Sequence, residues 1–286
     1  MWHMGRMTRD HAHPPHADHG DRILPEHQRL SARGMTFRIT RWHVGAGSTP
    51  LLFLNGLGAD ADAAAPLLRR ITNREVWTLD MPGTGGSPDC FWPYSASSMA
   101  SAVMDVADQL GHHQLDVAGF SWGGALAQQL TAQFSDRVAR LVLMGTTGRF
   151  SAADIGWGAI FDRDVVSGAI STLKMPATSP LGFTYQSLAM TGWNNDGLIP
   201  NLVERPILVL SATKDHVVPS SYSDDLANLV QAHRHVKISG GHLFPFTKAQ
   251  QCADEIMAFL APNTKATTPK KPRKSAAPLP CGNELV

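Results

Sequence analysis

Cysteine is scarce in this chain: Cys90, Cys252 and Cys281 are the only three among 286 residues, and they lie far apart. That excludes a disulfide framework and a four-cysteine zinc site, and it favours a reducing compartment. Charge of one sign is lacking as well. Lys and Arg number 25 against 24 Asp and Glu, a formal net charge of +1, so no overall field draws the chain to nucleic acid or to a membrane surface. No apolar run approaches the roughly 18 residues of a spanning helix. The N-terminus lacks the apolar stretch of a secretory signal, and no internal repeat is visible. What is present is a 43% hydrophobic composition, enough for one large core or two modest ones.

Composition divides the chain. Residues 1–30 hold six of the thirteen histidines, interleaved with Pro, Asp and Arg. The prolines in HAHPPHADH prevent a regular ligand face, so the segment reads as a disordered tail rather than a metal site. Met1, Met4, Met7 and Met35 leave the start of translation open. Residues 262–286, rich in Pro, Ala and Lys, read as a second solvated tail whose PKKPRK run could touch an anionic surface. Between them lie a first core segment, 31–148, an insertion at 149–200 and a second core segment, 201–261. The expected location is cytoplasmic.

Within the core, short apolar runs alternate with helical patterns. A first strand pair is expected around Met35–Val44. Pro50–Leu54, Glu75–Leu79, Leu115–Phe120, Ala139–Met144, Pro206–Leu210 and His235–Ile238 read as strands. Ala63–Ile71, the stretch carrying Met99, Val103, Val106 and Leu110, the stretch carrying Leu126, Leu130 and Phe134, Ser220–Val230 and Lys248–Leu260 read as helices. Strands and helices alternating at these lengths imply an α/β fold: a mostly parallel central sheet with helices on both faces. Between 149 and 200 the rhythm fails although Phe150, Trp157, Phe161, Phe183, Tyr185 and Trp193 are present. That stretch reads as a short cap laid over the sheet.

The junction of Leu115–Phe120 with the next helix carries GFSWG, a Gly-x-Ser-x-Gly pattern. At a strand-to-helix turn this tight, Ser121 is forced into a strained backbone conformation that lifts its hydroxyl out of the sheet. Side chains two residues to either side would collide, hence Gly119 and Gly123. The Trp122 NH then sits at a helix N-terminus, where negative charge is favoured. A serine so placed needs a base, and the base an orienting acid, which on this kind of scaffold follow in the order Ser, acid, His. Chain order and context leave His242, in ISGGHLFPF, as the base. Asp215, just past the strand Ile207–Leu210, is the acid. Asp80 is the rival, but it precedes Ser121 and its Pro-Gly context suggests a loop brace. Asp224 and Asp225 read as first-turn helix residues. A second oxyanion donor is expected from the loop FLNGLGA, with the Leu57 NH as the choice. This chemistry requires no cofactor and no metal.

Several segments carry a family likeness: FLNGLGA, LDMPGTGGSP, GFSWGGALAQQ, GFTYQSLAMTGW, LVLSATKDHVVP and GGHLFPFTKAQ. Through them Leu51–Gly148 and Gly182–Leu260 resemble the α/β-hydrolase superfamily, and more narrowly the intracellular medium-chain-length poly(3-hydroxyalkanoate) depolymerases. The resemblance implies an α/β-hydrolase fold and ester hydrolysis of a 3-hydroxy-acid polyester at a storage-granule surface. It implies Ser121, Asp215 and His242 as the triad. A small-molecule carboxylesterase or lactonase with the same triad is the alternative expectation.

Overall fold

The computed structural model describes residues 24–150 and 178–261. Most of both expected tails, and with them Trp157 and Phe161 of the insertion, lie outside the described residues.

Eight strands form one sheet in the order β1-β2-β4-β3-β5-β6-β7-β8. The strands are β1 (Glu26–Ala32), β2 (Met35–Trp42), β3 (Leu51–Leu54), β4 (Val76–Leu79), β5 (Leu115–Phe120), β6 (Val138–Met144), β7 (Ile207–Ala212) and β8 (Arg234–Ile238). β2 pairs antiparallel with both β1 and β4, and every pairing from β4 onward is parallel. The helices are α1 (Ala61–Leu68), α2 (Ala96–Gln109), α3 (Trp122–Gln133), α4 (Pro180–Met190), α5 (Ile199–Leu202), α6 (Ser220–Leu229), α7 (Phe244–Thr247) and α8 (Ala249–Phe259).

The strands β3, β4, β5 and β7 are buried along their whole length, so the side chains of the central sheet alternate between two cores. Leu52, Leu54, Val117 and Leu143 face the layer of α2, α3 and α6, where they meet Val103, Leu126 and Leu226. Leu51, Phe53, Ala118 and Val142 face the layer of α1, α7 and α8, with Leu67, Phe244 and Ile256. Doubly buried strands read as continuous apolar runs, which is why the sequence marks them clearly.

Two expectations need correction. The N-terminal tail does not extend to residue 30, because Glu26–Ala32 is a strand paired with β2 along its whole length. The first strand pair is therefore Glu26–Ala32 with Met35–Trp42, closed by Arg33 and Gly34, both at positive φ, as a two-residue hairpin turn demands. Only Ala32 of β1 is buried, so this edge strand has no apolar alternation to betray it. The insertion contains a regular helix as well. Its buried positions are Gly182, Gln186 and Met190, one face at i, i+4 and i+8, yet two of the three are not hydrophobic and the periodicity is masked.

At the N-terminal ends of the parallel strands Asp116 is wholly buried between two guanidiniums. Arg74 Nη1 lies 2.6 Å from Asp116 Oδ2, and Arg140 donates from Nε and Nη2 at 2.8 and 2.6 Å. Both arginines also bind the Leu260 carbonyl at the end of α8, at 2.6 and 2.8 Å. Burial pushes the Asp116 carboxyl upward, and the hydrogen bonds and charges of Arg140 and Arg74 pull it back. Removing one partner of such a cluster strands buried charge. Asp116→Ala is thus expected to cost about 3–5 kcal/mol of stability, a fall in Tm of roughly 10 °C for a domain of this size. A thermal melt showing a loss of only a degree or two would contradict the assignment.

Candidate active site

The order of the sheet reverses around β3, which lies between β4 and β5. In open α/β sheets such a reversal opens a crevice beyond the carboxyl ends of the strands. The loops leaving β3, β4, β5, β6, β7 and β8 all emerge there, and they carry, in turn, Leu57, Asp80, Ser121, Thr146, Asp215 and His242.

Ser121 is the residue between β5 and α3, with φ 52° and ψ −119°, a conformation that costs on the order of 1–3 kcal/mol. A Cβ on Gly119 would lie 2.3 Å from the Gly123 carbonyl oxygen, and one on Gly123 would lie 2.2 Å from that of Leu54. No side chain fits at either place. The main chain of Ser121 is fastened on both sides: its NH donates to the Met144 carbonyl at 2.9 Å, and its carbonyl accepts from Thr146 Oγ1 at 2.8 Å. Ser121 occupies the N-cap position of α3, where a serine hydroxyl ordinarily accepts from the first-turn NH groups. Here it makes no such bond. Its hydroxyl is turned instead to His242 Nε2, 3.1 Å away.

His242 Nδ1 lies 2.8 Å from Asp215 Oδ2. A carboxylate only accepts, so Nδ1 carries the proton and donates it, which leaves the Nε2 lone pair facing the serine hydroxyl. The other oxygen, Asp215 Oδ1, accepts the main-chain NH groups of Val217 and Val218, each at 2.9 Å. Those two bonds fix the plane of the carboxylate and aim Oδ2 at the imidazole. The Phe120 ring lies against the imidazole with centroids 4.9 Å apart. His242 and Asp215 are both buried, which shields the pair from bulk water.

Sequence order therefore brought together three residues that are 94 and 27 positions apart along the chain, and the structure places them in one hydrogen-bonded line. Leu57 and Trp122 flank it from the β3 loop and the start of α3. Among the described residues, no acceptor is paired with the main-chain NH of either. Asp80 is spent elsewhere: its carboxylate accepts from the NH groups of Ala61 and Gly86 at 2.8 Å and pairs with Arg38 at 2.9 Å. It braces the loops around it, as its Pro-Gly context implied. Asp224 and Asp225 sit in the second turn of α6 rather than the first, and Asp224 pairs with Lys237 at 2.8 Å.

A second Ser, His and Asp set shows what residue types alone do not secure. His235 Nε2 is 2.9 Å from Ser211 Oγ, and His235 Nδ1 is 3.6 Å from Asp224 Oδ1. Ser211 is 1% exposed and lies inside β7, a buried strand position rather than a strand-to-helix turn. Burial pushes the His235 imidazole below its usual range.

Sequence reasoning missed Gln186. Its Oε1 accepts from the Gly58 NH at 3.0 Å, its Nε2 donates to Thr84 Oγ1 at 2.9 Å, and its carbonyl accepts from the Trp122 indole at 2.8 Å. The available sign was a lone amide on the Gly182–Met190 face of a helix that composition alone did not reveal.

A serine hydroxyl in line with a neutral imidazole and a fixed carboxylate can surrender its proton as it attacks an electrophilic carbon. A parallel sheet carrying that line on loops at its carboxyl edge defines a hydrolase of the α/β class. Comparison with known proteins agrees. A family model described as alpha/beta hydrolase fold matches residues 49–170. The poly(3-hydroxyalkanoate) depolymerase of Ectopseudomonas oleovorans is 30% identical over 240 residues, covering 74% of this chain and 84% of that protein. The 2-hydroxymuconate semialdehyde hydrolase of Pseudomonas putida is 27% identical over 254 residues, covering 78% and 90%. Among solved structures, the enol-lactonase from Burkholderia xenovorans LB400 superposes with a TM-score of 0.70 at 20% identity, covering 82% of this chain and 99% of that one. The chain belongs to the α/β-hydrolase family.

Proposed function

We propose that this protein is a serine ester hydrolase whose substrate is a poly(3-hydroxyalkanoate), acting through an acyl-enzyme on Ser121. The observation that supports the chemistry best is the line Ser121–His242–Asp215, 3.1 and 2.8 Å, hung on a strained strand-to-helix turn. Ser121 Oγ attacks the ester carbonyl carbon while its proton passes to His242 Nε2. The carbonyl oxygen becomes an oxyanion held by the NH groups of Leu57 and Trp122, the latter at a helix N-terminus. As the tetrahedral species collapses, the C–O bond to the leaving alkoxide breaks, and that oxygen takes the proton from His242. Water then attacks the acyl carbon, giving a proton to His242. Ser121 Oγ leaves and recovers that proton, and a carboxylic acid departs. Asp215 holds the imidazole tautomer throughout. No step uses a metal or a cofactor.

The polyester assignment draws its support from the 30% identical depolymerase relative. It carries with it a cytoplasmic location at the surface of storage granules. Consistent with a reducing compartment, the two described cysteines, Cys90 and Cys252, are free and buried, and burial pushes the Cys252 thiol up to about 12. Among the described residues no helix is long and apolar enough to cross a membrane. A second reading, a small-ester or lactone hydrolase, is favoured by the names of the semialdehyde hydrolase and the enol-lactonase that this chain resembles.

One assay separates them. Clearing of a medium-chain polyhydroxyalkanoate emulsion is followed by turbidity beside release of p-nitrophenol from p-nitrophenyl octanoate. The polyester reading expects both activities. Hydrolysis of the soluble ester with an emulsion that stays turbid supports the second reading and removes the first.

A further inference from the structure

The active-site line leaves α4 without a task, yet this helix sends a buried amide between the loops that follow β3 and β4. Gln186 is 1% exposed. Burying a carboxamide is unfavourable unless both its ends are bonded, and an apolar residue of similar length would dock the helix with less penalty. Both ends are bonded here, and the partners are specific. Oε1 takes the Gly58 NH at 3.0 Å and Nε2 reaches Thr84 Oγ1 at 2.9 Å. The same residue's carbonyl takes the Trp122 indole at 2.8 Å. Two residues before the start of α4, Thr178 Oγ1 donates to the Gly58 carbonyl at 2.7 Å. The residue after Leu57 is thus held at its NH and at its C=O by the part of the insertion that leads into and forms α4, and it adopts φ +68°. On the other side of Leu57, the Gly56 carbonyl accepts from the Ala59 NH at 3.1 Å.

We infer that Gln186 is a positioning residue for the oxyanion hole, locking the Leu57 and Trp122 donors into one geometry through Gly58 and the indole. This rests on the serine ester hydrolase reading. One side of a single residue reaches the β3 loop and its own carbonyl reaches the start of α3, so α4 acts as a clamp joining the two halves of the hole. Its position then governs how well the developing oxyanion is held, while substrate binding in the ground state is left almost untouched.

Gln186→Met keeps the length and apolar bulk of the side chain and removes both amide bonds. On p-nitrophenyl butyrate, an ester too short to depend on the insertion for binding, kcat is expected to fall about 10- to 100-fold with KM within about twofold. Affinity for butaneboronic acid, whose serine adduct places an oxygen in the hole, is expected to fall by the same factor as kcat. Affinity for butyrate should hold. Thr184→Ala, which removes only the intrahelical bond to the Pro180 carbonyl, is the matched control and should keep wild-type kcat. Should Gln186→Met fail to fold, Thr178→Val tests the same clamp from the Gly58 carbonyl and is expected to lower kcat and boronate affinity together. If Gln186→Met, or Thr178→Val in its place, lowers only Tm and leaves kcat and boronate affinity unchanged, the inference is wrong although the hydrolase reading stands. A wild-type protein without activity on any ester removes both.

Discussion

Ser121→Ala is expected to lower kcat on p-nitrophenyl octanoate by about 10⁴- to 10⁶-fold, the range seen when an acyl-enzyme nucleophile is deleted. The fold should not notice. The lost hydroxyl makes one hydrogen bond, to His242 at 3.1 Å, and it caps nothing in α3. Alanine suffers the same φ of 52° as serine does, so Tm should stay within about 3 °C of wild type. Ser121→Gly separates strain from chemistry further. Relief of a conformation costing on the order of 1–3 kcal/mol outweighs the extra chain entropy of glycine, about 0.5–1 kcal/mol. That variant should be as inactive as the alanine one and about 1 kcal/mol more stable. Stopped-flow or steady-state turnover within tenfold of wild type in either variant would place the nucleophile elsewhere.

Asp215→Asn is expected to cost about 10⁴-fold in kcat with little change in KM, by reversing the tautomer of His242. The geometry forces the reversal. Asp215 Oδ1 is committed to the Val217 and Val218 NH groups, so an asparagine keeps its oxygen there and turns its NH₂ toward His242 Nδ1. Two donors cannot face each other, and the ring proton moves to Nε2. The imidazole then presents a hydrogen, not a lone pair, to the Ser121 hydroxyl. Labelling of Ser121 by a fluorophosphonate probe should slow in parallel with turnover. A loss smaller than tenfold would show that the carboxylate merely packs beside the ring.

How much of this was legible in the sequence follows from where the physics leaves marks. Doubly buried strands such as Leu115–Phe120, apolar but for Asp116 near its start, stand out from their surroundings, and this one was placed to the residue. The serine turn was legible because its crowding admits only glycine at 119 and 123. Asp215 and His242 were singled out by chain order combined with their places just past strands, while His235 and Asp224 were set aside. Edge strand β1 was not legible, since main-chain pairing with β2 defines it and only one of its side chains is buried. Helix α4 was missed for the opposite reason. Its inner face is specified by hydrogen bonds from Gln186 rather than by apolar area, and hydrophobic periodicity cannot register a buried amide that serves its neighbours.

The cluster around Asp116 has a geometric corollary. It holds the Leu260 carbonyl near the start of β5, whereas Ser121 follows the end of that strand, six residues or about 20 Å further along. The end of α8 therefore lies at the pole of the molecule opposite its reactive mouth. A handle grafted at that point would tether the enzyme to a solid support with its cleft facing outward, ready to meet a particle in suspension.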